Sequence, residues 1–157
     1  MKKIQYQFEY VRYDNLGELE DEKRKLVESA NQIAKDAYVP YSNFHVGAVV
    51  ELENGEILKG NNQENASYPV GICAERTLLS YAKANNPDVK ILRLAVSVLD
   101  TEKDVSPCGM CRQFILEYET QQNQTIEIIL HNRSGSTLVI PSISALLPLH
   151  FDSKMLT

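Results

Sequence analysis

The three cysteines of this 157-residue chain fall into one pattern that is typical of a metal site. Cys73 precedes Glu75 by two residues, while Cys108 and Cys111 form a Cys-x-x-Cys pair directly after Pro107. Three thiolates leave one corner of a zinc tetrahedron for water, whereas a structural zinc site fills all four corners with protein ligands. Zinc with an open position lowers the pKa of bound water to about 7, and a nearby carboxylate can move protons between that water and a substrate. The pattern therefore predicts a catalytic zinc site, with Glu75 as the proton carrier of a hydrolysis.

Each half of this pattern has a simpler interpretation when it is taken alone. A Cys-x-x-Cys pair is equally typical of a redox pair or of half of a structural site, and Cys73-x-Glu75 alone indicates almost nothing. Together, with Pro107 before the second pair, they have the spacing that describes zinc deaminases, here with a cysteine as the first ligand. The odd number of cysteines also argues against a disulfide framework.

Helical spacing places both halves of the pattern at the start of a helix. Apolar residues recur at helical intervals over residues 73–83 and again over residues 109–119. Free N–H groups and the positive end of the helix dipole would lower the pKa of thiols at both starts. We expect Arg76 to hydrogen-bond the thiolates to the same effect. The remaining candidate ligands are expected to be surface or packing residues outside the metal site: His45, His131 and His150.

The elements that must position this site read as alternating helices and strands. Strands are predicted at residues 46–52, 56–60, 91–99, 126–130 and 137–140. Asn54-Gly55 predicts a tight hairpin with two residues at positive φ. A helix over residues 19–37 comes first, and a short helix over residues 142–147 comes last. This order predicts a three-layer α/β/α domain with a five-stranded mixed sheet.

Composition restricts the kinds of partner that this chain is expected to bind. The formal net charge is -5, so the chain lacks the cationic field with which nucleic-acid binders neutralise phosphates. No apolar run is long enough to cross a bilayer, and the first residues lack a secretory signal. We expect an amino-terminal arm over residues 1–15, one catalytic domain over residues 16–157, and a cytoplasmic location with neither a membrane nor a nucleic acid as partner.

Several segments resemble the homotetrameric cytidine deaminases, over roughly residues 37–151. They are residues 38–48 (YVPYSNFHVGA), 62–68 (NQENASY), 106–113 (SPCGMCRQ) and 146–151 (LLPLHF). The resemblance implies a cytidine deaminase-like fold and the hydrolysis of cytidine and 2'-deoxycytidine to uridine and 2'-deoxyuridine, with release of ammonia. It also implies one Zn²⁺ per chain and a homotetramer with shared active sites.

The resemblance further implies how a nucleoside is bound. Asn62 and Glu64 would hydrogen-bond the ribose hydroxyls, Phe44 would pack on the pyrimidine, and the backbone of Ala74 would contact the base. Two aromatic residues would reach a neighbouring subunit: Tyr68 and Phe151. Residue type alone favours plainer roles, since a Phe beside a buried strand is usually core and polar residues after a strand usually form a turn.

Three other functions remain open, each disfavoured by one feature. Deamination of a different aminopyrimidine, as in the blasticidin deaminases, fits poorly with the intact Asn62-x-Glu64 segment. A catalytically silent zinc module needs no proton carrier such as Glu75. A deaminase acting on DNA or RNA is disfavoured by the acidic balance. The sequence departs from the family pattern in its amino-terminal arm, at Asn61 and in the polar run over residues 119–124.

Overall fold

A mixed sheet of six strands forms the centre of the molecule, and the computed structural model describes it within residues 1–156. The strands are β1 (Val11–Tyr13), β2 (Val46–Leu52), β3 (Ile57–Asn61), β4 (Ile91–Val98), β5 (Glu127–Asn132) and β6 (Thr137–Ile140). The helices are α1 (Asp21–Ala34), α2 (Ala74–Asn85) and α3 (Gly109–Gln121). The strand order is β1-β6-β5-β4-β2-β3, and β4 and β5 are parallel while the other neighbours are antiparallel.

Helices cover both faces of the sheet, which confirms the predicted three-layer α/β/α architecture. Side chains alternate along a strand, so Val49 of β2 packs against α1 on one face while Val50 packs in the cluster of α2 and α3 on the other. Helix α1 contributes Val27 and Ala30 to the first cluster. Among residues 1–156, no helix has the length and apolar character needed to cross a bilayer.

The predicted count of five strands is wrong, because the amino-terminal arm supplies a sixth. Val11 pairs with Val139, so β1 adds an antiparallel edge to β6. Residues 4–10 alternate apolar and polar side chains, a pattern that predicts a short strand or an extended arm, and they form no ladder. Strand β1 has only three residues, and its position is set by the edge of β6 with which it pairs. A strand formed in this way has no pattern of its own in the local sequence.

The structure differs from the prediction at one turn and at one helix end. In the hairpin between β2 and β3 only Gly55 has a positive φ, of 84°, whereas Asn54 does not. The Gly55 N–H donates to the Leu52 carbonyl (2.9 Å), and the Asn54 side chain accepts from the Glu56 N–H (3.0 Å). This is a type I turn closed by a left-handed glycine, not a turn with two positive-φ residues. Helix α1 ends at Ala34, and shorter turns replace its predicted last residues.

Candidate active site

The starts of two helices bring the three cysteines together. Cys73 is the residue that caps α2, Cys108 caps α3, and Cys111 lies in the first turn of α3. Their sulfur atoms all lie within 4.8 Å of one another, and the Sγ atoms of Cys108 and Cys111 are 3.5 Å apart. Thiolates on a tetrahedral zinc, with Zn–S of about 2.3 Å, are separated by about 3.8 Å. The spacing of the sulfurs therefore fits one zinc ion.

No histidine within the described residues belongs to this cluster. Within residues 1–156, the cysteine triplet is the one group of three or more potential ligand side chains close enough to hold a metal. His45 binds Asp100 through Nδ1 (3.0 Å), His131 binds the Thr137 hydroxyl (2.8 Å), and both lie outside the triplet.

Cys73 and Cys111 hold their protons unequally. Hydrogen bonding with Cys111 is the largest cause that lowers the pKa of Cys73 to about 6, although burial and the charge of Glu75 oppose it. The same pairing is the largest cause that raises the pKa of Cys111, with burial adding to it. A thiolate therefore forms readily at Cys73, and metal binding would displace the proton of Cys111.

Glu75 is a buried carboxyl beside these sulfurs. It lies in the first turn of α2 and is only 5% exposed. Burial is the largest cause that raises its pKa, while hydrogen bonding from the backbone and from Cys111 and the charge of Arg76 act in the opposite direction. A carboxyl with a raised pKa holds a proton closer to neutral pH, which is what a general acid-base requires.

A cavity of about 320 Å³ opens beside Glu75 and the cysteines. It brings together four predicted substrate or catalytic residues: Phe44, Asn62, Ala74 and Glu75. Cys73 and Cys108 also line it, and the remaining lining, which sequence reasoning did not assign to a cavity, comes from β2, β4, β5 and the loop before Cys108: Val46, Val96, Val98, Val105, Ser106, Pro107 and Leu130. Apolar strand residues of this kind are indistinguishable from core residues until the sheet is assembled.

Asn62 holds one side of this cavity. Its Oδ1 accepts from the Val46 N–H (2.9 Å) and its Nδ2 donates to the Phe44 carbonyl (2.8 Å). The side-chain amide thus fixes the backbone on both sides of His45 and with it the position of the Phe44 ring, which is 40% exposed. A ribose contact by Asn62 stays a prediction.

Glu64 and Tyr68 line a second cavity of about 250 Å³ rather than the first. The Glu64 carboxylate accepts from the N–H groups of Tyr41 (3.0 Å) and Ser42 (3.3 Å). Hydrogen bonding with Ser42 is the largest cause that lowers the pKa of Glu64. The rings of Tyr41 and Tyr68 lie 5.8 Å apart, and Tyr68 is 74% exposed.

Arg76 and Phe151 lie outside the first cavity. Arg76 donates from Nη1 to the Met110 sulfur (2.9 Å), and its charge contributes the smallest of the effects that lower the pKa of Cys73. Phe151 is 56% exposed, and its carbonyl accepts from the Gln113 side chain (3.0 Å). Their predicted roles stay predictions.

Arg112 is a site residue that sequence reasoning missed. Its guanidinium donates to the Pro107 carbonyl (2.7 Å), the Ser106 hydroxyl (2.9 Å) and the Leu146 carbonyl (3.0 Å). It therefore ties the residues just before Cys108 to the short 3-10 helix at residues 143–146. Its place directly after the last cysteine was the one available hint, since buried backbone carbonyls near a metal site need donors.

Comparison with known proteins identifies the class to which this fold and site belong. Residues 20–126 match the family model described as the cytidine and deoxycytidylate deaminase zinc-binding region. The cytidine deaminase of Sporosarcina psychrophila is 38% identical over 133 residues, covering 85% of this chain and 93% of its own length. That of Halalkalibacterium halodurans is 37% identical over 135 residues, covering 85% of this chain and 96% of its own.

A solved structure agrees with these relatives. The crystal structure of cytidine deaminase from Burkholderia pseudomallei superposes with a TM-score of 0.72 at 38% identity, and the match covers 81% of this chain and 97% of that one. The chain belongs to the cytidine and deoxycytidylate deaminase family.

Proposed function

We propose that this chain hydrolyses cytidine and 2'-deoxycytidine to uridine and 2'-deoxyuridine, with release of ammonia. The observation that carries the proposal is one cavity lined by Cys73, Cys108 and the buried Glu75, with the Cys111 sulfur clustered behind the other two. The cytidine deaminases of S. psychrophila and H. halodurans support the nucleoside as substrate.

The cysteine triplet would hold the metal. Cys73, Cys108 and Cys111 offer three thiolates, whose spacing fits a zinc ion with one open position. Zinc bound there supplies a Lewis acid that lowers the pKa of a water molecule. The starts of α2 and α3 stabilise negative charge on the sulfurs. A zinc ion bound by these thiolates would therefore remain an effective Lewis acid.

Glu75 carries the protons of the reaction. It accepts a proton from the water whose oxygen bonds to C4 of the pyrimidine, and donates it to ring nitrogen N3. It then takes the remaining proton from the hydroxyl now on C4 and delivers it to the 4-amino group, as the C4–N bond breaks, the C4 carbonyl forms and ammonia leaves. Burial suits the residue to both steps, because a raised pKa makes the proton easier to hold between them.

The walls of the cavity bind the base. Phe44 presents its ring to the cavity for packing on the pyrimidine, and Ala74 lies between Cys73 and Glu75, where its backbone reaches the base. Asn62 lines the same cavity, and Glu64, two residues further along the chain, lines the second cavity. We infer that the ribose extends from the first cavity towards Glu64.

The sharpest test of this function is Glu75→Gln, which keeps the size of the side chain but cannot carry the proton. Turnover of cytidine should fall by roughly 10² to 10⁴, with zinc content unchanged at one per chain. Glu117→Gln, an exposed glutamate of α3, is the matched control. Substantial turnover by Glu75→Gln would remove Glu75 from this role.

The choice of substrate is tested with the unmodified chain. Cytidine, 2'-deoxycytidine, blasticidin and a cytosine-containing oligonucleotide are compared in one absorbance assay. We expect turnover of the two nucleosides. Faster turnover of blasticidin or of the oligonucleotide would favour the alternative deaminases instead.

We infer that the enzyme is a homotetramer with shared active sites. Tyr68 and Phe151 support it, because both aromatic side chains are more than half exposed in the single chain. If Phe151 completes a neighbour's site, mixing Phe151→Ala chains with Glu75→Gln chains should give hybrid sites that contain both intact residues. Activity at low substrate would then exceed that of either pool, and no rise after verified subunit exchange would contradict the sharing.

A further inference from the structure

The amino-terminal arm covers the back of one wall of the substrate cavity. Phe8 and Tyr10 of the arm line a separate cavity of about 190 Å³. Three residues line both this cavity and the substrate cavity: Val105, Ser106 and Leu130. The loop segment 105–106 is therefore a thin partition, with the proposed substrate on one side and the arm on the other.

A first tether joins the arm to this partition through charge. Arg12 of β1 forms an ion pair with Asp104, the residue just before Val105. The other carboxylate oxygen of Asp104 accepts from the Ser136 hydroxyl (3.1 Å) and from the Asn132 side chain (3.4 Å). Asp104 thus fastens the loop to the arm on one side and to the end of β5 on the other.

A second tether runs through hydrogen bonds. The Tyr6 hydroxyl lies 3.1 Å from the Ser144 carbonyl and 3.0 Å from the Ala145 carbonyl. The next carbonyl, of Leu146, accepts from Arg112, which also binds Ser106 and Pro107. These contacts connect the arm to the residues that immediately precede Cys108.

Ring packing keeps the arm in place between the tethers. Tyr6, Phe8 and Tyr10 lie on one side of the extended chain, with ring centroids 6.3 Å and 5.9 Å apart. They account for the period-two pattern of this segment, which forms no β-ladder. The arm precedes residue 20, where the match to the family model begins.

We propose that residues 6–12 act as a strap that positions the 104–107 loop, and thereby sets the affinity of the substrate cavity. Tyr6 and Arg12 are positioning residues in this arrangement, because they act on the cavity through Arg112 and Asp104. The proposal rests on the proposed function for its kinetic consequence, whereas the tethering of the loop is independent of it.

The test uses the full-length chain with Tyr6→Phe, Arg12→Gln and the double variant. Tyr6→Phe removes only the hydroxyl, whereas Arg12→Gln removes the guanidinium that pairs with Asp104 and also with Asp14. Arg12→Lys should restore part of the effect, and Arg24→Gln, which loses an ion pair with Asp21 on α1, is the matched control. Steady-state kinetics with cytidine, zinc content and amide hydrogen exchange are measured on each.

The double variant should raise KM roughly threefold or more while kcat and zinc content stay near the parent values. Hydrogen exchange should quicken in residues 100–107 and remain unchanged in the hairpin of β2 and β3. An unchanged KM in a parent chain that deaminates cytidine overturns the strap. If the parent deaminates nothing, the proposed function fails, and hydrogen exchange alone decides: unchanged protection of residues 100–107 overturns the strap and faster exchange supports it.

Discussion

Gly47→Ala should destabilise the fold more than its single methyl group suggests. Gly47 is the second residue of β2 and pairs with Asn61 on one side and Ser97 on the other, so it lies in the interior of the sheet. A Cβ at this position would lie 2.0 Å from the Ala30 carbonyl oxygen and 2.8 Å from the Ala34 backbone nitrogen of α1. Helix α1 approaches the sheet this closely only because residue 47 has no side chain.

The size of the effect follows from what the new methyl group meets. Carbon and its neighbours make ordinary contact at about 3.5 Å, so α1 must move away by about 1.5 Å. The obstacle is helix backbone, which cannot turn aside as a flexible side chain can. Overpacking costs about 1–3 kcal/mol, and we expect a loss of about 3 kcal/mol because Val27 and Ala30 also lose contacts. For a chain of this length that lowers Tm by about 6–12 °C.

Thermal unfolding of zinc-loaded protein, at equal chain concentration, measures this loss. Gly109→Ala is the matched control, since a Cβ at Gly109 meets no atom within 4 Å. Adding Ala30→Gly to Gly47→Ala should give no recovery, because the clash involves the Ala30 carbonyl and not its methyl group. A Tm of Gly47→Ala within about 2 °C of the parent would refute the close packing of α1.

Two further predictions concern single side chains. Glu64→Ala should raise KM for cytidine roughly tenfold at unchanged zinc content, because a hydrogen bond to a charged group is lost; equal KM values for parent and variant would exclude Glu64 from substrate binding. Burial lowers the pKa of His131, so the unfolded chain binds the proton more readily and stability is lost as pH falls below about 6.5. Denaturant unfolding from pH 7 to pH 5 should therefore show a smaller loss for His131→Gln than for the parent, and identical losses would contradict this.

Local patterns determined much of the fold in advance. The predicted bounds of β2 and β6 agree with the structure, because each is an apolar run between clear turn residues. The sixth strand escaped prediction, since Val11 pairs with Val139 across most of the chain and its place depends on the edge it joins. The Asn54-Gly55 turn shows the same limit on a smaller scale: the residue types predict a hairpin, but not which of its residues has a positive φ.

Some residues of the candidate site could likewise be predicted from the sequence, and others could not. Cys73, Glu75 and the Cys108 pair were found because few residue types can hold zinc or move protons. The cavity walls at Val96 and Leu130 were not found, because their chemistry is that of any core strand. Glu64 lines the second cavity and Glu75 lines the first. Which cavity each residue lines depends on how the loops pack, and this cannot be predicted from the spacing of residues in the sequence.

The burial of Glu75 leads to a last prediction, which concerns stability rather than rate. A carboxyl that is 5% exposed and has a pKa raised by burial gives up hydration that an ionised group would keep in the unfolded chain. Glutamine has nearly the same shape and no charge to desolvate, so Glu75→Gln should unfold at a temperature equal to or above that of the parent. Active-site residues commonly lower stability in return for activity. A Tm of Glu75→Gln several degrees below that of the parent, at equal zinc content, would contradict this. It would mean that the buried Glu75 carboxylate stabilises the fold rather than lowering the free energy of unfolding.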